Sequence, residues 1–338
     1  MANLRAGLLG LGMMGRNHAR VLSGLEGVDL VGIADPTGGL PGAAPHGVRV
    51  VDDLAGLLAL GIDYAMVATP TRYHLETALA LVEAGVHALI EKPLTVDVDS
   101  ARQIAEAFAG AGLIGAVGHI ERYNPALQQA RTRIENGELG AIYQITTRRQ
   151  GPFPGRIADV GVILDLATHD IDLTAWVAQQ PFTSVAARTA HRSGRPHEDL
   201  VAITGQLADG TVTNHLVNWL SPMKERVTVI TGEKGAFAAD TLTADLTFFE
   251  NGLVPTQWSE VARFRGVTEG NMTRFAYPKP EPLRVEHEQF RDALLGKEDA
   301  DIVTLQQAAA TVAVANAAAV SARSGQVVQI ESVEVGNQ

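Results

Sequence analysis

The chain contains no cysteine, which removes disulfides, thiolate metal ligation and cysteine nucleophiles in one step. It also lacks a basic excess. Twenty-seven Lys and Arg against 38 Asp and Glu give a formal charge of -11, which repels nucleic acid and anionic membranes unless a local basic patch intervenes. No such patch is visible. No apolar run approaches the roughly 20 residues of a membrane helix. The opening residues Met1-Ala2-Asn3-Leu4-Arg5 lead into an apolar strand without the apolar stretch and cleavage site of a secretory signal. The expectation is a cytoplasmic protein with neither a membrane nor a nucleic-acid partner.

What is present is ample core-forming material, 46% hydrophobic residues over 338 positions, enough for two domains. From Leu4 to about Val117, apolar runs alternate with helical patterns. The runs Leu4–Leu9, Val28–Ala34, Tyr64–Ala68, His87–Ile90 and Leu113–Val117 read as buried strands, and Tyr73–Ala84 and Ser100–Ala111 as helices. Such alternation predicts a doubly wound parallel sheet with its ligand edge at the strand carboxyl ends. The glycine- and proline-rich segment Thr37–Pro45 predicts a loop in place of one crossover helix.

Beyond about Arg122 the rhythm changes. Helices are expected at Pro125–Asn136 and Val162–Val177, with a strand at Ala141–Arg149 and a loop at Gly151–Gly155 between them. Strands then follow in series: Val185–His191, Leu200–Leu207, Thr211–Asn218, Arg226–Thr231 and Leu246–Phe249. Turn signals such as Asp209-Gly210 divide them, the pattern of an antiparallel sheet built from hairpins. Two helices, Pro282–Leu295 and Thr304–Ser321, close the chain. The expected division is a dinucleotide-binding domain over 1-122 and a substrate-binding and oligomerisation domain over 123-338.

The turn Gly10-Leu11-Gly12-Met13-Met14-Gly15 directly follows the first strand and opens a helix. In that context a G-x-G-x-x-G sequence aims backbone N–H groups and a helix N-terminus at a diphosphate. Asp35 ends the second strand twenty residues beyond Gly15. A carboxylate there accepts hydrogen bonds from the adenine-ribose hydroxyls and repels a 2′-phosphate, so NAD is favoured over NADP. Thr69, Pro70 and His74 follow a strand end and are candidates for lining the nicotinamide side, as are Glu91 and Lys92. The alternative, for Arg72 and His74 individually, is an ordinary surface side chain at a capped helix start.

Glu91-Lys92-Pro93 stands at the carboxyl end of another strand, where an ammonium can hold a carbinol oxygen and favour its alkoxide character. The alternative is a solvated lysine paired with Glu91. Asp165 and His169 lie four apart on an expected helix, so the carboxylate can orient the imidazole as a proton acceptor. The alternative is a surface ion pair. A metal site lacks an evident third or fourth ligand and is not expected.

Together these motifs resemble the glucose–fructose oxidoreductase/inositol dehydrogenase (Gfo/Idh/MocA) family over essentially the whole chain. The resemblance implies a Rossmann domain and a C-terminal α/β domain with an open, mostly antiparallel sheet, whose outer face makes homodimers or homotetramers. It also implies that Lys92, Asp165 and His169 form the catalytic group. The strings Gly118–Pro125, Arg156–Asp172 and Glu281–Leu283 resemble the branch that oxidises UDP-N-acetylglucosamine-type sugars at C3. Arg122, Tyr123, Asn124, Arg149, Arg156 and Lys279 are then candidate substrate contacts, the cations for a nucleotide diphosphate. Each cation is otherwise a solvated surface charge, and Asn124 otherwise a helix cap. Two other readings stay open: a dehydrogenase of inositol, polyol or free monosaccharide, and a non-catalytic NAD-binding regulator.

Overall fold

The computed structural model describes residues 3–38, 44–155, 160–252 and 270–331. Much of the expected Thr37–Pro45 loop, and Arg156 with it, therefore lies outside the described residues.

Six strands form the first sheet: β1 (Leu4–Leu9), β2 (Val28–Ala34), β3 (Arg49–Val51), β4 (Tyr64–Val67), β5 (His87–Glu91) and β6 (Gly115–Gly118). Their order is β3-β2-β1-β4-β5-β6 and all neighbours are parallel. Strands buried on both faces need continuous apolar runs, and Tyr64–Val67 is buried throughout. The order reverses direction between β1 and β4, which places a ligand crevice beyond the carboxyl ends of these two strands. Helices α1 (Met13–Leu22), α2 (Leu54–Leu58), α3 (His74–Glu83) and α4 (Val98–Gly110) cover the sheet. Strand β3 escaped the sequence reading because three residues, two of them exposed, carry no usable period.

The second sheet contains nine strands in the order β14-β13-β12-β11-β7-β10-β9-β8-β15. They are β7 (Ile142–Pro152), β8 (Phe182–Ala190), β9 (Leu200–Leu207), β10 (Val212–Asn218), β11 (Leu220–Gly232), β12 (Gly235–Asp240), β13 (Asp245–Glu250), β14 (Met272–Arg274) and β15 (Val328–Gln329). Among the described residues every pairing is antiparallel except β7 with β10, so one pair departs from a hairpin-built sheet. Strand β12 went unrecognised because glycine and alanine have low strand propensity; pairing with both β11 and β13 overrides it. Helices α5 (Pro125–Glu135) and α6 (Thr168–Ala178) cover the inner face, where Leu127, Trp176 and Val177 pack on Ile145, Ile230 and Phe237.

Two closing helices follow, α7 (Pro282–Leu294) and α8 (Leu305–Ser324). Here the structure departs from the expected break at 122/123. One compact unit joins Met1–Ile120 to Glu281–Asn316, while Glu121–Pro280 and Ala317–Ser332 form the other. The reason is packing: Phe290 of α7 meets Tyr64 of β4 edge to face at 5.4 Å, and Leu305 and Val312 of α8 join the core under α3 and α4. Chain order alone does not say which core a late amphipathic helix will enter.

Candidate active site

The glycine turn assigns each of its glycines a separate task. Gly10 has φ of +91°, and a Cβ there would stand 2.7 Å from the Ala68 carbonyl oxygen at the end of β4. A Cβ on Gly15 would fall 2.0 Å from the Gly10 carbonyl oxygen, so the helix can approach the strand only without a side chain. Around Gly12 a Cβ would meet nothing within 4 Å. Packing therefore does not explain Gly12; the space beside it is open to the close approach of a ligand such as a diphosphate. Gly12 is also the N-cap of α1, whose first turn bears no acidic residue and has no side-chain cap. Its N-terminal N–H groups remain suited to an anion. Met13 is exposed and Met14 half-buried beside them.

Asp35 is nearly buried at the end of β2. Its Oδ2 accepts the Leu11 backbone N–H at 2.7 Å, and its Oδ1 accepts the Thr37 backbone N–H and hydroxyl at 2.9 and 2.6 Å. The hydroxyl oxygen of Thr69, at the end of β4, is buried with no hydrogen-bond partner among the described residues. An orphaned polar atom, an unexplained open glycine and a ribose-height carboxylate at one sheet edge fit a bound dinucleotide. Pro70, exposed, opens a short 3-10 turn, Thr71–Tyr73.

His74 begins α3. It is buried, with Nε2 3.0 Å from the Thr69 carbonyl oxygen and Nδ1 3.0 Å from that of Leu94. The ring ties together the segments that follow β4 and β5. Burial pushes its pKa down, against the pull of the carbonyls and of Glu91. Glu91 and Lys92 end β5, and the Lys92–Pro93 peptide is cis. Burial alone would raise the Glu91 pKa, but His18 and Lys92 hold it below the ordinary value, so this carboxylate is ionised.

In the other unit the segment expected as one helix over Val162–Val177 is divided. Ile163–Ala167 forms a π-turn, in which the Thr168 N–H reaches back five residues to the Ile163 carbonyl, and α6 begins at Thr168. Asp165 lies in the π-turn and is buried; His169 lies in the first turn of α6 and is half-buried. Insertions of this kind recur at functional sites because they re-aim side chains that an α-helix would place elsewhere. The 3.6-residue spacing argument thus does not describe the backbone that carries this pair.

Most of the anticipated substrate contacts are engaged within the protein. Arg149 donates through Nε to Asp170 and through Nη1 to Glu121, at 2.8 and 2.7 Å, with all three side chains largely buried. Arg122 makes a two-pronged pair with Asp172, at 2.8 and 2.6 Å. Lys279 bonds Asp245 at 2.6 Å and the Thr243 carbonyl at 2.8 Å. Asn124 caps α5 by accepting the Ala126 N–H, and Tyr123 is buried. Each of these cations already meets a carboxylate that the sequence alone could not place beside it, so part of its charge is spent within the protein.

Two groups of functional interest escaped the sequence reading. Arg226 of β11 sits directly across the ladder from Arg149, with Nη1 bonded to the Gln150 and Glu225 carbonyls. Burial and the Arg149 charge push its pKa down while Asp170, Glu121 and Asp165 raise it. The other group is His18, Glu286 and His287, three buried ionisable residues of the dinucleotide-binding unit. An ionisable residue at an apolar helix position is the only sequence signal they leave. No group of three or more His, Asp or Glu suited to a metal ion occurs among the described residues.

Comparison with known proteins agrees with this arrangement. Residues 4–119 match a family model described as "Oxidoreductase family, NAD-binding Rossmann fold", and residues 127–238 match "GFO/IDH/MocA C-terminal domain". The chain is 33% identical over 217 residues to UDP-N-acetylglucosamine 3-dehydrogenase of Acidithiobacillus ferrooxidans, covering 63% of this chain and 66% of that protein. It is 31% identical over 195 residues to scyllo-inositol 2-dehydrogenase (NAD(+)) of Bacillus subtilis, covering 54% and 56%. These matched segments span less than two thirds of the relatives' lengths. The solved structure of the Acidithiobacillus ferrooxidans enzyme superposes with a TM-score of 0.82 at 25% identity, covering 96% of this chain and 99% of that one.

Proposed function

The chain belongs to the Gfo/Idh/MocA oxidoreductase family, and from that premise we propose that it is an NAD-dependent dehydrogenase acting on a sugar carbinol. The observation that carries the reading is the cradle itself: an open Gly12, Asp35 and an orphaned Thr69 hydroxyl share one sheet edge with Lys92. The substrate we propose is a UDP-N-acetylglucosamine-type nucleotide sugar oxidised at C3. Likeness to the Acidithiobacillus ferrooxidans enzyme supports it in sequence and in fold.

Bound NAD supplies the hydride acceptor. Gly12 and the first turn of α1 hold its diphosphate, and Asp35 holds the adenine ribose and disfavours a 2′-phosphate. Lys92 donates to the carbinol oxygen and stabilises the negative charge that grows there. His169 takes the hydroxyl proton, and Asp165 orients the imidazole and stabilises the imidazolium that forms. The C–H bond yields a hydride, the O–H bond a proton, and the carbinol becomes a ketone.

Oxidation of a free cyclitol is the second reading, and a specific observation favours it. Arg122, Arg149 and Lys279 are neutralised by Asp172, Asp170, Glu121 and Asp245, so they are poor partners for a diphosphate. Likeness to the Bacillus subtilis inositol dehydrogenase points the same way. A panel of UDP-sugars, free sugars and inositols, read by NADH absorbance, separates the two. Lys92→Ala should keep NAD affinity and lose turnover by about 10²- to 10⁴-fold. Undiminished turnover would overturn the assignment. We also propose self-association through the nine-stranded sheet, whose outward face exposes Tyr143 and Val212; light scattering on the full chain tests it.

A further inference from the structure

The reaction described above leaves unused a buried line of ionisable side chains in the dinucleotide-binding unit. His18 of α1 is fully buried, with Nε2 2.8 Å from Glu91 Oε1. Its Nδ1 lies 2.8 Å from Nε2 of His287 on α7, and the two rings meet edge to face. The second Glu91 oxygen accepts the backbone N–H of Lys92 at 3.1 Å. One carboxylate thus joins the helix that opens from the glycine turn to the backbone of the lysine at the end of β5.

We propose that His18 and His287 are positioning residues that fix Lys92 through the Glu91 carboxylate. The inference rests on the assignment of Lys92 to the reaction. An ionised carboxylate only accepts, so His18 must direct its Nε2–H at Glu91. A neutral imidazole that donates from Nε2 accepts at Nδ1, and His287 supplies the matching donor through its own Nε2–H. Burial holds the His287 pKa well below the ordinary value, so this ring stays neutral. Its Nδ1 has no hydrogen-bond partner among the described residues, so the contact with His18 is the one hydrogen bond that holds the ring there. Remove His287, and nothing in the line selects the His18 tautomer that faces Glu91 with a proton rather than a lone pair.

The surrounding charges agree. Neighbouring Glu286 is buried with neither carboxyl oxygen hydrogen-bonded among the described residues. Burial and the Glu91 charge push its pKa well up, so it is neutral and does not compete with Glu91 for His18. Lys92 and, from α3, His74 also lie within electrostatic reach of Glu91. Because the line starts on α1 but ends on Lys92, breaking it should disturb the aim of the lysine and spare the diphosphate cradle.

The test uses the full chain with His18→Leu, His18→Gln, His287→Leu and His287→Gln, with Lys92→Ala alongside. Glutamine keeps an N–H near the position of Nε2 and has no titratable ring. Both leucine variants should lose about 10- to 100-fold in kcat with NAD affinity changed less than about twofold, and both glutamine variants should recover most of the loss. Leucine variants with unaltered kcat beside an inactive Lys92→Ala would overturn the proposal, as would losses that glutamine does not restore. An active Lys92→Ala would instead overturn the underlying assignment. A substrate-independent arm reads ring protons by NMR in ¹⁵N-histidine-labelled protein, assigned with the same variants. Slowly exchanging Nε2–H signals from both rings are expected, and Nδ1–H on His18 with a bare Nε2 would refute the scheme.

Discussion

Asp35 Oδ2 accepts the Leu11 backbone N–H at 2.7 Å, so the carboxylate that ends β2 also shapes the turn between the first two glycines. Removing it should do more than relax the choice of cofactor. Asp35→Asn keeps an acceptor for Leu11 but no charge; Asp35→Ala keeps neither. Loss of one charge-assisted hydrogen bond predicts at least about tenfold weaker NAD binding for the alanine variant and a smaller loss for asparagine. Both should narrow the preference for NAD over NADP. Fluorescence titration with the two cofactors measures this, and an unchanged preference would contradict the ribose assignment.

Gly12 and Gly15 look equivalent in the sequence but should fail differently. A Cβ on Gly15 strikes the Gly10 carbonyl, whereas one on Gly12 enters open space. Gly15→Ala should therefore destabilise the fold by about 1–3 kcal/mol, the usual range for overpacking. Gly12→Ala should melt like the unaltered protein yet lose the stabilisation that NAD confers. Thermal denaturation with and without NAD distinguishes the two.

Arg149 provides a test of whether these cations serve the fold or a substrate phosphate. Truncating a buried ion-paired residue costs about 3–5 kcal/mol because the carboxylates left behind lose their counter-charge. Arg149→Leu should accordingly show a lower denaturation midpoint in urea. A variant of unaltered stability with a raised KM for UDP-sugars alone would restore the phosphate-binding reading.

The neutral Glu286 carboxyl makes stability depend on pH in a predictable direction. Its folded-state pKa is raised, so the folded chain binds this proton more tightly than the unfolded chain does. The stability it contributes is complete below the ordinary glutamate value of 4.5 and is lost as pH rises toward the raised value. Glu286→Gln removes that loss. The variant should gain on the unaltered protein by roughly 1.4 kcal/mol per pH unit across that window. Parallel denaturation curves from pH 4.5 upward test it, and a constant difference would show that Glu286 does not titrate as described.

The parts of the fold and site that were legible in the sequence are those specified by neighbours in the chain. Strands β1, β2 and β9 appear where their apolar runs predict, because β1 and β2 are buried runs and β9 alternates cleanly between core and solvent. The glycine turn, Asp35 and Lys92 were readable because strand, turn and helix follow one another within a few residues. The Ile163–Ala167 π-turn was not, since an inserted residue leaves the apolar pattern nearly unaltered while shifting the hydrogen bonds from four residues to five. Strands β14 and β15 are too short to show a period and exist only because β13 and β8 accept them.

The glycine turn, the carboxylate that follows β2 and the lysine at a strand end are legible without the fold, because local backbone geometry demands those residue types at that spacing. Packing between distant segments decides that Arg122 and Arg149 are ion-paired, that α7 returns to the first core, and that His18 lies between His287 and Glu91. These depend on partners up to 269 residues apart, brought together by burial of apolar faces. A formal charge says how many cations a chain has; packing decides which of them remain for a ligand.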